Sequence, residues 1–364
     1  MRTPSSTDEK LADLGTVKSS RGQFPYTVSE LATLTNLVHA HHCAVTGKKH
    51  RNRVFRYADD LGENLLRLQQ ALIDGSYKPQ PCHEFDIFCT AGQKVRRISA
   101  PAFEDTIVQH LIYQNIYTFF DKKFIFDSYG CRRGKGTHKA SDRLQHFMRR
   151  APEGSYILQI DIRKYYYRID HAVLRESLER AVADPALIDL MMQFCGDGKV
   201  GLNVGSLLSQ LYGMIYLDRF DHWVKRVLKV KMYIRYVDDM IFILPSKEEA
   251  EAVLEKCQAF LSERLHLELS KFRIAPVEDG ANFVGFRTWT GRRVLRRRSV
   301  ISLKRAIRKA KIESISSILG HALGTSSYRP FLDTVLGGLS VEDIRRLPER
   351  FREDMAELIA KDAE

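Results

Sequence analysis

The apolar residues of this chain change their period as the chain proceeds. Between residues 26 and 48, Leu31, Leu34, Leu37 and Val38 recur at helical intervals and predict a helix. From Leu61 the run LGENLLRLQQALIDG puts Leu61, Leu65, Leu68 and Leu72 on one face, and Gly75 is placed to end that helix. Residues 82–150 mix short strand patterns, such as Glu84 to Thr90, with a helix near Asp105 to Phe120. A basic, glycine-punctuated loop from Tyr129 to Thr137 follows. The texture then turns strand-like: Ser155 to Ile162 is an apolar run that reaches Asp161, and Met232 to Leu244 reads as two short apolar strands broken by Asp238-Asp239. Helical spacing lies between them, in Ser206 to Val230. The first 25 or so residues are polar, carry Ser, Thr, Lys and Gly, and predict a loose arm.

Composition bounds what such elements can build. With 364 residues, 44% of them hydrophobic, the chain can fill a core in one large domain or in two or three subdomains, which excludes a disordered chain. Fifty-seven Lys and Arg against forty-five Asp and Glu leave +12, so the first expected partner is anionic, nucleic acid foremost. The excess is local: ten basic residues occur from Arg292 to Lys311 with no acid among them. Six cysteines without a CxxC pair indicate neither a disulfide framework nor a zinc ribbon, and His39, His41, His42 and Cys43 have no second ligand cluster at a recognisable spacing. No apolar stretch is long enough to cross a bilayer and the start, MRTPSSTDEK, lacks a signal-peptide core, so a cytoplasmic location without membrane contact is expected.

The chemistry-bearing candidates are carboxylates. Phosphoryl transfer onto a 3'-hydroxyl uses two divalent ions about 3.5–4 Å apart, and hard ions of that kind are held by carboxylate oxygens. Asp161 sits near the end of a buried strand; Asp238 and Asp239 sit where Tyr233-Ile-Arg-Tyr-Val237 turns into Met240-Ile-Phe-Ile-Leu244. At a tight turn two adjacent side chains can reach one side, and a neighbouring Asp161 strand would bring three carboxylates together. An Asp-Asp pair alone is ordinary turn chemistry, so the assignment rests on its company.

That company resembles the reverse transcriptases. Asp161-Ile-Arg-Lys-Tyr-Tyr-Tyr-Arg-Ile-Asp170 resembles their motif A, and Tyr236-Val237-Asp238-Asp239 their Y-x-D-D motif C. Arg96-Arg-Ile-Ser-Ala-Pro-Ala-Phe-Glu-Asp105 through Gln109, and then Tyr129 to Ala140, resemble the fingers blocks of bacterial and group II intron enzymes. Val204-Gly205-Ser-Leu-Leu-Ser209-Gln210 resembles motif B, Leu267-Glu-Leu-Ser-Lys271 motif D, and Asn282-Phe-Val-Gly-Phe286 the primer grip. The likeness spans residues 50 to 325, and seven blocks occur in order. A second Y-x-D-D, Arg56-Tyr57-Ala58-Asp59-Asp60, runs straight into the helix from Leu61; its aspartates are expected to favour that helix's positive N-terminus.

The resemblance implies an α/β (α+β) right-hand polymerase: an N-terminal arm and helix over 1–50, fingers over 51–150, a palm with an antiparallel sheet over 151–290, and a basic helical thumb with the tail over 291–364. It implies an RNA-directed DNA polymerase with Asp161, Asp238 and Asp239 catalytic, and with Asp161, Ile162, Asp238 and Asp239 around two Mg2+ ions, for which Mn2+ could substitute. Tyr166 would be the steric gate that refuses a 2'-hydroxyl. Arg96, Lys94, Tyr166, Gly205, Gln210 and Lys271 would meet the incoming dNTP, with Arg97 a further candidate; Phe283 and Gly285 would shape the primer grip. Arg296, Arg297, Arg298, Lys304, Arg305 and Arg308 would track the phosphates of the nucleic acid, on a helix anchored by Val300, Leu303 and Ile307.

Departures from the family pattern refine the expectation. Val204 before Gly205 and Gln210 after Ser209 replace the common Gln-Gly and Ser-Pro, as in enzymes of diversity-generating retroelements and in reverse transcriptases recruited for phage defence. Thr106 stands where an arginine is common after Asp105. The expected setting is anti-phage defence with a structured noncoding RNA template, DNA as product, and an accessory protein or second copy as further partner. Error-prone copying of a template repeat, and a non-catalytic RNA-binding scaffold, are the alternatives. The 50 or so residues beyond Glu313 are too few for an RNase H or endonuclease domain, so such work is expected of partners.

Overall fold

The first two helices begin where a side chain accepts a free amide N–H. The structure, a computed structural model, describes residues 22–48, 50–89 and 94–362, with the backbone alone at 89, 94, 361 and 362. The predicted N-terminal arm lies almost wholly outside these residues. Helix α1 is Val28–Leu31, started by a capping box of Thr27 and Glu30, and α2 is Leu34–Val45, where the Thr33 hydroxyl accepts Asn36 N–H at 3.2 Å. The single helix expected over 26–48 is therefore two. Leu34 and Val38 are exposed, at 42% and 53%, and the inner face is made by Leu37, Ala40 and Ala44.

Helices α3 (Asn52–Asp59) and α4 (Leu61–Ile73) precede a two-stranded sheet of β1 (His83–Cys89) and β2 (Lys94–Ala100), and then α5 (Phe103–Lys123). Next come α6 (Thr137–Arg150), β3 (Tyr156–Ile162), α7 (His171–Glu179), α8 (Pro185–Met192) and α9 (Leu207–Arg226). Strands β4 (Tyr233–Tyr236) and β5 (Asp239–Leu244), helix α10 (Lys247–Leu265), and strands β6 (Leu269–Pro276), β7 (Ala281–Phe283), β8 (Phe286–Thr288) and β9 (Arg293–Leu295) follow. The chain ends in α11 (Arg297–Arg308), α12 (Ile312–Ala322), α13 (Tyr328–Leu336), α14 (Val341–Arg345) and α15 (Glu349–Asp362). The expected mixture of helix and strand is present, and no helix among the described residues is long and apolar enough to cross a membrane.

The chain divides into two compact units. The first holds Met1–Ile87, Arg97–Lys123 and Ile169–Tyr216. Here α2 packs on α4 and α5, and Leu65, Leu68 and Leu72 of the predicted α4 face are buried. Buried Asp105 accepts the Tyr77 hydroxyl at 2.6 Å and Gln80 N–H at 3.0 Å.

The second unit holds Phe88–Arg96, Phe124–Arg168 and Leu217–Glu364. Its main sheet is antiparallel in the order β4-β5-β3-β6, with β3 in the interior. Strand β3 is largely apolar: Ile157, Leu158, Ile160 and Ile162 are buried, while Gln159 and Asp161 are half-buried. Helix α10 packs on β3, β5 and β6, and α6 on β4 and β8. A second core joins the small β7-β8-β9 sheet to α11–α15 through Phe286, Leu295, Leu303, Ile307, Ile315, Leu319 and Phe331, with Val300 packed against it. The basic helix is thus anchored by the three apolar positions expected of it.

Candidate active site

The interior strand and its hairpin neighbour bring two of the three aspartates opposite each other. Asp161 pairs with Asp239 across β3 and β5, and with Lys271 across β3 and β6, beside a bulge between Asp161 and Ile162. Val237 and Asp238 form the two-residue connection from β4 to β5. Val237 has φ +56°, a left-handed conformation that a β-branched residue rarely adopts.

Electrostatics joins all three carboxylates. Burial, and then the charge of Asp161, push Asp238 up to about 6. Asp239 is pushed up to about 7, chiefly by burial and also by the charges of Asp161 and Asp238, against a hydrogen bond from Gln159 and the charge of Arg296. Gln159 Nε2 donates to Asp239 Oδ1 and to the Asn282 carbonyl, both at 2.8 Å. Asp161 Oδ2 accepts the Ser270 hydroxyl at 2.5 Å and has Lys271 Nζ at 3.8 Å. Among the described residues, no three His, Cys, Asp or Glu side chains are closed into a ready cation cage.

Part of this cluster opens onto a cavity of about 1060 Å³, whose lining does not include Asp238 or Ser270. Asp161, Asp239 and Lys271 line it, and so do Arg296, Arg297, Arg298 and Lys304. Arg296 stands at the N-cap of α11 with its N–H on the Gly285 carbonyl at 3.2 Å, and burial lowers its pKa. Arg305 and Arg308 are exposed on the same helix and do not line the cavity.

Other predicted residues fall in the same unit. Tyr166 is half-buried and hydrogen-bonded to the Cys131 thiol; burial, Cys131 and the charge of Asp238 raise its pKa. Lys271 is exposed. Phe283 is fully buried in a core cluster with Tyr129, Leu144 and Ile234 and does not line the cavity. Gly285, at φ +94°, admits the His321 ring, since a Cβ there would stand 2.6 Å from His321 Cε1. The glycine serves protein packing at that point. Arg96 is exposed on β2, and the side chain of Lys94 lies outside the described residues.

The first unit holds the remainder. Arg97 Nε donates to Glu84 Oε2 at 2.8 Å in an exposed ion pair. Gly205 has φ +115°, and a Cβ there would meet Ile98 Cγ2 at 2.9 Å, because Ser99 N–H bonds the Val204 carbonyl at 2.9 Å. Gln210 is exposed in the first turn of α9. Gln109 is buried, and its Oε1 accepts Ser206 Oγ at 2.9 Å and Leu207 N–H at 3.0 Å, which caps α9. Thr106 returns its hydroxyl to the Ala102 carbonyl at 3.0 Å.

In the second Y-x-D-D, Asp59 ends α3 and Asp60 takes the N-cap position of α4. Both are exposed, and Asp60 makes no side-chain capping bond. Sequence reading missed the groups around the predicted residues: Gln159 on Asp239, Ser270 on Asp161, Cys131 on Tyr166, and a buried pair of Asp221 and Arg235. Part of the signal for the last was present, as two acids, Asp218 and Asp221, among the apolar positions of α9 and one arginine inside an apolar strand.

Residues 90–288 match the family described as reverse transcriptase (RNA-dependent DNA polymerase). Protein YkfC of Escherichia coli K12 is 26% identical over 273 residues, 62% of this chain and 71% of YkfC. The group II intron-encoded protein LtrA of Lactococcus lactis subsp. cremoris is 23% identical over 298 residues, 62% of this chain and 49% of LtrA, so the chain spans about half the length of that relative. Among solved structures, telomerase from Candida albicans in complex with a fragment of telomeric RNA aligns with a TM-score of 0.46 at 13% identity, over 78% of this chain and 55% of the telomerase. Since the family match covers more than half of its residues, the chain belongs to the reverse transcriptases.

Proposed function

We propose that this chain copies RNA into DNA by adding deoxynucleotides to a primer 3'-hydroxyl at Asp161, Asp238 and Asp239. The observation that carries the reading is the pairing of Asp161 with Asp239, with Asp238 in the adjoining turn and both hairpin aspartates pushed up by burial and by Asp161. Carboxylates that resist ionisation beside one another are the hard-oxygen donor set that divalent cations suit. Asp161 and Asp238 would hold both ions, with Asp239 and the main chain at Ile162 assisting. Two Mg2+ ions, with Mn2+ as a substitute, would supply activation of the 3'-hydroxyl and neutralisation of the departing pyrophosphate.

The chain's own groups do the rest. Tyr166, within the field of Asp238, would refuse a 2'-hydroxyl by the bulk of its ring. Lys271, exposed beside Asp161, would neutralise or protonate the leaving group. Arg96, and Lys94 beside it on β2, would take the triphosphate, while Gly205 and Gln210 would bound the nascent base pair. Phe283 and Gly285 would support the primer end, and the arginines and lysine of the cavity, with Arg305 and Arg308 further along α11, would hold duplex phosphates. Fingers over 51–150, palm over 151–290 and thumb over 291–364 name these roles.

For the biological setting we propose anti-phage defence with a structured noncoding RNA as template. Val204-Gly205 and Ser209-Gln210 equally support a second reading, error-prone copying in a diversity-generating retroelement. Purified chain given an RNA template, a DNA primer, dNTPs and Mg2+ should extend the primer and stop on chelation; extension that survives Asp238→Ala with Asp239→Ala rejects the assignment. Sequencing the RNA that copurifies separates the settings: a repeat beside a variable gene favours diversification, a structured noncoding RNA favours defence.

A further inference from the structure

We infer that the buried ion pair of Asp221 and Arg235 is a positioning device that clamps the turn bearing Asp238 and Asp239; the inference rests on the polymerase reading above. Arg235 and Asp221 are 1% and 0% exposed. Arg235 Nε lies 2.8 Å and 3.0 Å from the two Asp221 carboxylate oxygens, Nη2 donates to Oδ2 at 2.5 Å, and the Tyr233 hydroxyl donates to Oδ1 at 2.7 Å. A buried pair of this kind is a weak source of stability, because desolvating two charges offsets most of their attraction. Its remaining donor shows what else it does.

Arg235 Nη1 donates to the Val237 carbonyl at 2.9 Å. Val237 is the residue with φ +56°, and a conformation so unfavourable for a β-branched side chain persists only where its surroundings over-determine it. Gly130 also packs tightly on this residue: a Cβ there would stand 2.5 Å from Val237 Cγ2 and 2.7 Å from Val237 N. The main chain of Arg235 is fixed as well: its N–H bonds the Asp127 carbonyl and its carbonyl accepts Tyr129 N–H, both at 2.9 Å. Val237 is therefore held by a guanidinium and packed on a glycine, and the next two residues are the proposed metal ligands. A guanidinium suits this place because one rigid plane points a fork at Asp221 and a third N–H at the turn. Asp221 and Arg235, sealed from solvent, act through the turn and touch no substrate.

Two variants test the clamp. Asp221→Leu with Arg235→Met removes both charges together at similar volume, and Arg235→Lys keeps the charge opposite Asp221 but lacks the fork. Thermal unfolding, Mn2+ binding to the substrate-free chain by electron paramagnetic resonance, and kcat and KM for dNTP are measured on each. The double variant should stay folded, its unfolding midpoint lowered only modestly by the Tyr233 hydroxyl left without its acceptor, yet bind Mn2+ about tenfold more weakly and lose about tenfold or more in kcat, with KM for dNTP little changed, the range found when groups that orient metal ligands are removed. Arg235→Lys should show the same signature. A folded double variant with wild-type Mn2+ binding and kcat overturns the inference; if the double variant does not fold, wild-type values in Arg235→Lys overturn it and lowered ones support it. A wild-type chain that neither binds Mn2+ nor extends a primer fails the polymerase reading itself, a different outcome from active wild type with unaltered variants.

Discussion

The chain spells arginine, tyrosine, a small apolar residue and two aspartates twice, at Arg56 to Asp60 and at Arg235 to Asp239, and the two copies become different objects. The first is the end of one helix and the cap position of the next: Arg56, Asp59 and Asp60 are exposed, and Tyr57 packs against Phe103 and His41. The second is the tip of a β-hairpin whose arginine is buried on Asp221 and whose Asp239 pairs with Asp161, with Asp238 in the turn beside it. The residues on either side make the difference. Leucines at helical spacing after Asp60 wind the first copy up, whereas apolar runs flanking the second can be satisfied only by strand pairing within a covered sheet. A five-residue signature thus acquires chemistry from the strand laid beside it.

The sharpest way to break this comparison is to remove both pairs of acids. Asp238→Ala with Asp239→Ala should reduce primer extension to that of a chelated control, while Asp59→Ala with Asp60→Ala should leave it at wild type. Next in size is the fate of the arginines. Asp221→Ala strands a buried charge and should cost about 3–5 kcal/mol in urea unfolding, whereas Arg56→Ala, on the surface, should stay within about 0.5 kcal/mol.

A third contrast is in pH. The hairpin aspartates rise from an ordinary 3.8 to about 6 and about 7, so the folded state keeps protons that the unfolded chain has already released. Their contribution to stability is full below the unfolded value and is lost as pH rises through the folded ones. Metal-free wild type should accordingly lose stability between about pH 4 and pH 7 relative to Asp238→Asn with Asp239→Asn, as measured by urea unfolding in a chelator; parallel curves would refute this.

The smallest contrast is between two glycines. Gly130 has no room for a methyl group against Val237, and Gly130→Ala should cost about 1–3 kcal/mol of stability. Gly62, in α4, has nothing within 4 Å of an added Cβ, and Gly62→Ala should stabilise the chain by about 0.4–1 kcal/mol by thermal unfolding.

Much of this protein was legible from the chain alone. Periodicity located α4 and α9, the interior strand β3 and the β4–β5 hairpin, because apolar burial imposes its period on any sequence that satisfies it. Seven short blocks in order identified the family, and they are what assigns the proposed site to the three aspartates and not to the second copy. The tertiary structure decided the environments. It turned Leu34 and Val38 outward and Phe283 inward, spent the freedom of Gly285 on the His321 ring, and set Gln159 on Asp239 and Ser270 on Asp161. It also joined Asp221 to Arg235 beneath the turn. These contacts link residues far apart in the chain, and their strength depends on distance and on exclusion of water, neither of which exists until the sheet has closed.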